Sequence, residues 1–319
     1  MSAAAIMPWL NQLVAVLLAL LAAPLFVGWV NQCRAWLGNR TAPPLWQPYL
    51  AIRKLFIKEA VLAEHASSLF RFAPYAVFGT MICAAAIIPS LATSLPFSNA
   101  ADAIALVGLL ATARVFISLA AMDVGTAFGT LGARREMMVG FLAEPALLMV
   151  IFLASLISSS TALPAISDSL ATQQLALHPS LAFTAVAFLL VLLAENARIP
   201  VDNPATHLEL TMIHEALLLE YSARHLALME WAAALKLFNY TCIGFALFAP
   251  WGIGTAAASP LSLLAAWPIL ALKLLLAGVG LALIETLSAK LRVFRAPEFL
   301  ATAFLFAVLG ILVHLLLGA

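Results

Sequence analysis

The sequence predicts an all-α polytopic membrane protein with about eight transmembrane helices, both termini outside (periplasmic) and long cytoplasmic loops. Three observations predict it. First, 64% of the 319 residues are hydrophobic and only 10% are Asp, Glu, Lys or Arg, whereas about a quarter of a water-soluble domain is charged. Second, apolar stretches close to the roughly 20 residues that cross a hydrocarbon core recur along the whole chain. Third, thirteen of the sixteen basic residues fall between alternate stretches and none falls in the other connections, which orients the spans by the positive-inside rule.

Taken in order, the spans are expected at 8–30, 72–93, 102–122, 139–161, 180–197, 226–250, 264–287 and 298–317, all within a single membrane domain over 1–319. The stretch Met1–Val30 lacks a basic leading segment and reads as a retained first span. The cytoplasmic segment 31–71 holds Arg34, Arg40, Arg53, Lys54, Lys58 and Arg71. Within it, Tyr49–Glu59 alternates apolar and basic positions at helical spacing, which predicts an amphipathic surface helix. Two readings of that helix stand: a basic loop on lipid, or a docking surface for a soluble subunit.

The next cytoplasmic connection carries Arg134 and Arg135, the third Arg198 and Arg224, and the last Lys290, Arg292 and Arg295. The opposite side has no Lys or Arg; Thr93–Ala101 is uncharged and Thr161–Pro179 carries only Asp168. The fifth span is short unless its cytoplasmic end lies in protein.

A net charge of +1 argues against nucleic acid and acidic substrates. Cys33, Cys83 and Cys242 form no Cys-x-x-Cys pair, so they read as apolar packing residues rather than a metal or iron–sulfur site.

Seven ionisable groups fall inside or at the ends of spans: Arg114, Glu144, Glu195, Glu230, Lys236, Lys273 and Glu285. Each costs about 2.5–3.5 kcal/mol on insertion scales and so faces protein or a wet cavity. Placed by depth, they enter from the cytoplasmic side and stop near the midplane; the outer half holds only Asp102 at its boundary. One reading is a proton path sealed at its outer end. The other is a set of buried ion pairs and snorkelling end charges. The second is favoured for Glu230 and Glu285, and the first for Glu144, Glu195, Arg114 and Lys236 taken together.

The acidic segment 196–225 differs from the rest. Pro200 and Pro204 keep a helix from running through it. Glu195, Asp202, Glu209, Glu215 and Glu220 alternate with His207, His214 and His225. His214-Glu215 starts like a zinc-binding His-Glu-x-x-His motif, but Leu218 stands where the second histidine belongs. No metal site is predicted, and the segment reads instead as a partner-contacting surface loop.

The motif from Glu195 through Arg198-Ile-Pro, Asp202-Asn-Pro-Ala-Thr-His-Leu-Glu209 and on to Glu220-Tyr-Ser222 resembles the signature of the respiratory complex I subunit 1 family. It is most similar to the hydrogenase branch, the membrane subunits of hydrogenase 4 and formate hydrogenlyase. Gly132-Ala-Arg-Arg-Glu136 with Glu144-Pro145, and Gln47-Pro-Tyr with Arg53-Lys-Leu55, extend the resemblance over nearly the whole chain.

The resemblance implies a subunit of the bacterial or archaeal cytoplasmic membrane that anchors a peripheral electron-transfer arm and couples it to proton or sodium movement. It implies no catalytic centre in this chain. The NiFe centre and iron–sulfur clusters would belong to the hydrogenase large and small subunits, with antiporter-like membrane subunits as further partners. Glu144, Glu195, Asp202, Glu209 and Glu220 match family carboxylates at the junction, and Arg134 and Arg198 match its basic residues. With Arg114, Lys236 and Lys273 the carboxylates make up the expected proton path; Arg134, Arg135, Arg198, Arg53 and Lys54 are the expected docking residues. Ala205-Thr206-His207 departs from the more acidic run of quinone-reducing members, so quinone binding is not predicted. The alternatives are a quinone-site subunit of a complex I-like NADH dehydrogenase and a stand-alone secondary transporter, though no internal repeat supports the latter.

Overall fold

The computed structural model describes residues 3–97, 102–172, 179–202, 212–254, 260–291 and 295–317. The helices are α1 (Ala3–Leu37), α2 (Gln47–Ile57), α3 (Ser68–Ile87), α4 (Ala103–Asp123), α5 (Ala127–Ser158), α6 (Leu163–Thr172), α7 (Pro179–Glu195), α8 (His214–Leu218), α9 (Ala223–Phe248), α10 (Pro260–Leu287) and α11 (Ala296–Leu316). Seven of them are long and apolar enough to cross a membrane: α1, α3, α4, α5, α9, α10 and α11. The expected fifth span is α7, an apolar helix of 17 residues. At about 1.5 Å per residue it reaches roughly 25 Å, short of a core about 30 Å thick. Its last residue, Glu195, is 2% exposed, so that end stops inside protein.

The helix α5 departs most from expectation. It starts at Ala127 rather than near 139, because Thr126 accepts the Gly129 amide and nucleates the first turn early. Its 32 residues make about 48 Å, more than a bilayer core. Arg134 and Arg135 therefore ride on the first turns of a helix, not in a loop. Arg34, Arg71 and Arg224 likewise fall within the ends of α1, α3 and α9. The segment expected as an uncharged or weakly charged connection after α5 contains the short helix α6, whose Leu163, Ile166 and Leu170 are buried.

The axis of the bundle is α9. Of its most apolar stretch 67% is buried, against 22% for α11, and it packs on α3, α1, α2, α6, α7 and α10. Side-chain to backbone hydrogen bonds lock it: Asn239 Nδ2 donates to Met81 O at 2.9 Å and Trp231 Nε1 to Leu20 O at 3.1 Å. On the outside of the bundle, Leu13, Leu17, Leu21, Phe141, Leu276 and Leu305 are exposed, a belt suited to lipid rather than water.

Charge defines two faces. Arg34 at the end of α1, Arg198 just after α7 and Glu285 at the end of α10 meet, so those three ends share one face, hereafter the basic face. At the opposite face Ala92 and Gly254 pair as an isolated parallel bridge, the Thr93 amide donating to Gly254 O and the Gly254 amide to Leu91 O, and Gln12 Nε2 donates to Ala86 O at 2.6 Å. Helix α2, over Gln47–Ile57, packs against α9 and α1 with Ile52 inward and Arg53 and Lys54 outward. Gly28 allows this: a Cβ there would strike Leu45 O of the chain leading into α2. Of the three cysteines, Cys33 and Cys242 are buried as expected, but Cys83 faces outward. A thiol on a lipid-facing surface meets no desolvation penalty, which is why composition alone misplaced it.

Candidate functional site

One stripe of α5 builds the site. Gly132, Glu136, Gly140 and Glu144 recur every four residues and so lie one above the other on a single helix face. Glycine at 140 leaves a trough that the Arg114 side chain of α4 crosses; a Cβ there would lie 2.6 Å from its Cδ and 2.8 Å from its Cζ. Glycine at 132 lets α8 approach, its Ala216 Cβ 2.8 Å from where a Cβ would stand. The two glycines thus set a cation and a histidine-bearing turn against the two glutamates.

Arg114 is 6% exposed and meets three carboxylates. Nη1 pairs with Glu144, Nη2 with Glu195, and Nε lies 3.5 Å from Glu136 Oε1. Lys236 of α9 reaches the second oxygen of Glu195 at 2.9 Å. A guanidinium presents donors in a fixed planar fork and suits such a multiple contact. Glu136, Glu195 and Arg114 are buried, whereas Glu144 is 36% exposed.

The chain of charges continues toward the basic face. His214 Nε2 lies 3.2 Å from Glu136 Oε2, and its Nδ1 lies 3.3 Å from Asp202 Oδ2. Asp202 also accepts the His214 amide at 3.1 Å and the Ile213 amide at 3.3 Å, and Lys290 approaches its other oxygen at 3.8 Å. Burial pushes the His214 pKa down, but Glu136 and the hydrogen bond to Asp202 outweigh it and raise the pKa above the ordinary 6.5. A cavity of about 120 Å³ lies among Arg114, Glu136, Glu195, Ala197, His214 and Lys236. It has room for water.

A second, smaller cluster lies nearby. Helix α7 closes on Ala197 in the left-handed conformation (φ 53°), with the Arg198 amide bonded to Leu193 O at 2.9 Å. That reversal turns Arg198 to Glu285, whose other oxygen lies 3.6 Å from Arg34. Burial pushes the Arg198 pKa down, and Glu285 opposes it.

The structure therefore brings together Glu144, Glu195, Asp202, Arg114 and Lys236 of the expected path. Glu209 lies outside the described residues, as does His207. Glu220 is half-buried and joins none of these ion pairs among the described residues. Lys273 is elsewhere: its Nζ donates to Ala249 O at 2.6 Å and to Trp251 O, and sits 4.4 Å from the Trp251 ring centroid. It thus neutralises the C-terminal end of α9 near the opposite face. Of the expected docking residues, Arg134, Arg53 and Lys54 are exposed and Arg135 donates to Met212 O at 2.8 Å. Arg198 instead faces inward to Glu285.

Sequence reasoning missed Glu136 and His214 as members of the chain. The four-residue recurrence on α5 could have found Glu136; nothing in the periodicity pointed to His214. Among the described residues no cluster of His, Cys, Asp and Glu could hold a metal ion.

Tyr221 and Ser222 are structural. The Tyr221 ring stacks on Phe70 at 4.1 Å and its hydroxyl donates to Phe70 O at 3.1 Å. Ser222 Oγ accepts the Val61 amide and donates to Val61 O, tying the connection between α2 and α3 to the start of α9.

The family model described as NADH dehydrogenase matches residues 10–316. The chain belongs to that family, the subunit 1 family of respiratory complex I. Among relatives, it is 36% identical over 234 residues to hydrogenase-4 component C of Escherichia coli strain K12, covering 73% of each chain. It is 32% identical over 302 residues to formate hydrogenlyase subunit 4 of the same organism, covering 94% of this chain and 97% of that one. Its fold is similar to a chain in the structure of the membrane-bound sulfane sulfur reductase, an archaeal respiratory membrane complex. The TM-score is 0.82 and the identity 21%, over 96% of this chain and 99% of that one. The two Escherichia coli relatives support the hydrogenase branch of the complex I subunit 1 family.

Proposed function

We propose that this chain anchors the peripheral arm of a hydrogenase-type complex in the membrane and couples that arm's redox chemistry to proton movement. One observation carries the reading: an unbroken succession of titratable and charged groups runs from Lys290 and Asp202 at the basic face through His214 and Glu136 to Arg114, Glu144, Glu195 and Lys236 inside the bundle. The basic face is read as cytoplasmic by the positive-inside rule, which puts the arm there and both termini outside.

The residues divide the work. Arg114 and Lys236 hold Glu195 charged in a desolvated place, so that a change of charge nearby shifts proton affinity along the chain. Glu144 is the member open to its surroundings, the point at which a proton passes to or from a neighbouring antiporter-like subunit. The NiFe centre and iron–sulfur clusters lie in the large and small hydrogenase subunits, and this chain holds no cofactor.

In the complete complex in sealed vesicles, Glu144→Gln and Glu195→Gln are expected to abolish redox-linked proton movement while dye-linked activity of the arm persists. Full proton movement in both variants would overturn the reading.

One cavity bears on the quinone reading. About 260 Å³ lies beneath α2, lined by Val27, Pro48, Ile52, Arg198, Glu230 and Leu237. It falls below the roughly 300–1,000 Å³ of ligand pockets. Inhibition of electron transfer by quinone-site inhibitors would favour that reading over ours.

A further inference from the structure

The geometry points to His214 as the proton carrier between Asp202, which Lys290 approaches, and Glu136, which meets Arg114 and through it Glu195. The inference rests on the coupling function proposed above and names the link within it.

Two facts about position carry it. His214 stands on a single turn, α8, wedged against Gly132 of α5, and each ring nitrogen faces a different carboxylate at 3.2 and 3.3 Å. A neutral imidazole has one N–H and one lone pair, so it cannot donate to two ionised carboxylates at once. An imidazolium, or a proton on one of the two neighbours, suits both contacts, whereas a neutral ring with its N–H toward Asp202 sets its Nε2 lone pair against an ionised Glu136. The second fact is connection: His214 touches both Asp202 and Glu136. A fixed cation would serve to bridge them electrostatically, but only a group that both takes and gives a proton conducts between them.

The transfer balances as follows. With Asp202 as the carboxylic acid and His214 neutral, protonated at Nε2, the Asp202 O–H bond breaks and an Nδ1–H bond forms. The Nε2–H bond then breaks and an O–H bond forms on Glu136 Oε2. Asp202 ends as carboxylate and Glu136 as acid, with the ring neutral and protonated at Nδ1. The Nε2–Glu136 contact is an ion-pair approach rather than an aligned hydrogen bond. A small turn of the ring lines it up, and the adjoining cavity of about 120 Å³ gives the turn room. Proton exchange with water admitted to that cavity returns the proton from Nδ1 to Nε2.

The groups around the ring are Glu136 from α5, Asp202 and its neighbour Lys290 from the connections at the basic face, and Lys236 from α9. The two carboxylates outweigh burial and Lys236, so the pKa is raised. The sign follows. The transfer passes through the imidazolium, which the raised value favours and which becomes scarce as pH rises through that value, so proton transfer through the ring weakens on the alkaline side.

The test uses the whole complex in sealed vesicles and two variants. His214→Gln keeps hydrogen-bonding atoms without a charge; His214→Arg keeps a permanent positive charge between the carboxylates. Both are expected to assemble with full dye-linked activity of the arm and to lose at least tenfold in redox-linked proton movement, with the alkaline limb of its pH profile gone. Wild-type rates in His214→Arg, with the limb retained, would reduce the histidine to an electrostatic strut and overturn the inference. Glu195→Gln run alongside separates the two ideas. If it blocks proton movement while His214→Arg does not, the relay alone fails; if it too moves protons normally, the coupling function fails.

Discussion

Arg114 shows why single residues here cannot be exchanged for look-alikes. Its guanidinium contacts Glu136, Glu144 and Glu195 from one buried position. Removing one partner from a buried ion pair leaves uncompensated charge and costs about 3–5 kcal/mol. Arg114→Met is therefore expected to lower the stability of the detergent-solubilised complex by about that amount, seen as a drop in melting temperature. Arg114→Lys should recover only part, because an ammonium lacks the fork that meets three carboxylates. The depth argument from sequence found Arg114, Glu144, Glu195 and Lys236, since a buried charge needs a partner whichever way the helices pack. It placed Lys273 with them because depth along a helix says nothing of which way a long side chain reaches; the amine goes to the end of α9 instead. Arg198 failed as an exposed residue for a similar reason: the reversal at Ala197, invisible in composition, turns it toward Glu285.

Among the elements, α5 carries the design, and its glycines matter as much as its glutamates. An alanine at 140 gains up to about 1 kcal/mol of helix propensity. The added methyl would nevertheless meet Arg114 Cδ at 2.6 Å, and Arg114 is held by three carboxylates and has little freedom to yield. Overpacking costs about 1–3 kcal/mol and wins. Gly140→Ala is expected to destabilise the complex and weaken proton movement together. Gly108→Ala, on α4 with nothing within 4 Å of the added methyl, should be neutral or slightly stabilising. Equal melting temperatures for the two variants would refute the trough. The helices themselves were legible because apolar length sets a span; α5 was misplaced by twelve residues because hydropathy marks where a helix enters lipid, not where it begins. That error hid Glu136, which seemed to belong to a basic loop with Arg134 and Arg135. The short α7 was legible as an exception, and its buried end at Glu195 supplies the reason.

Across the whole molecule, the separation of charge leaves exposed basic groups on one face, where the proposed function seats a soluble assembly. Arg53, Lys54 and Arg134 are exposed, while Arg198 and Arg34 are spent on Glu285. Exposed charges act through solvent, and their reach shrinks from about 10 Å at 0.1 M salt to about 3 Å at 1 M. Buried pairs are screened far less. Arg53→Ala, Lys54→Ala and Arg134→Ala combined are therefore expected to release the peripheral arm at a lower salt concentration than wild type, with the membrane chain's melting temperature unchanged. Arg198→Ala should do the reverse, lowering the melting temperature because Glu285 keeps only the more distant Arg34, while leaving the salt needed for release nearly as it was. Salt titration of vesicle-bound complexes, followed by sedimentation, measures both. Release of the arm at an identical salt concentration in the triple variant would show that α2 and the start of α5 lie against lipid alone, and the basic face would then need another surface to carry its partner.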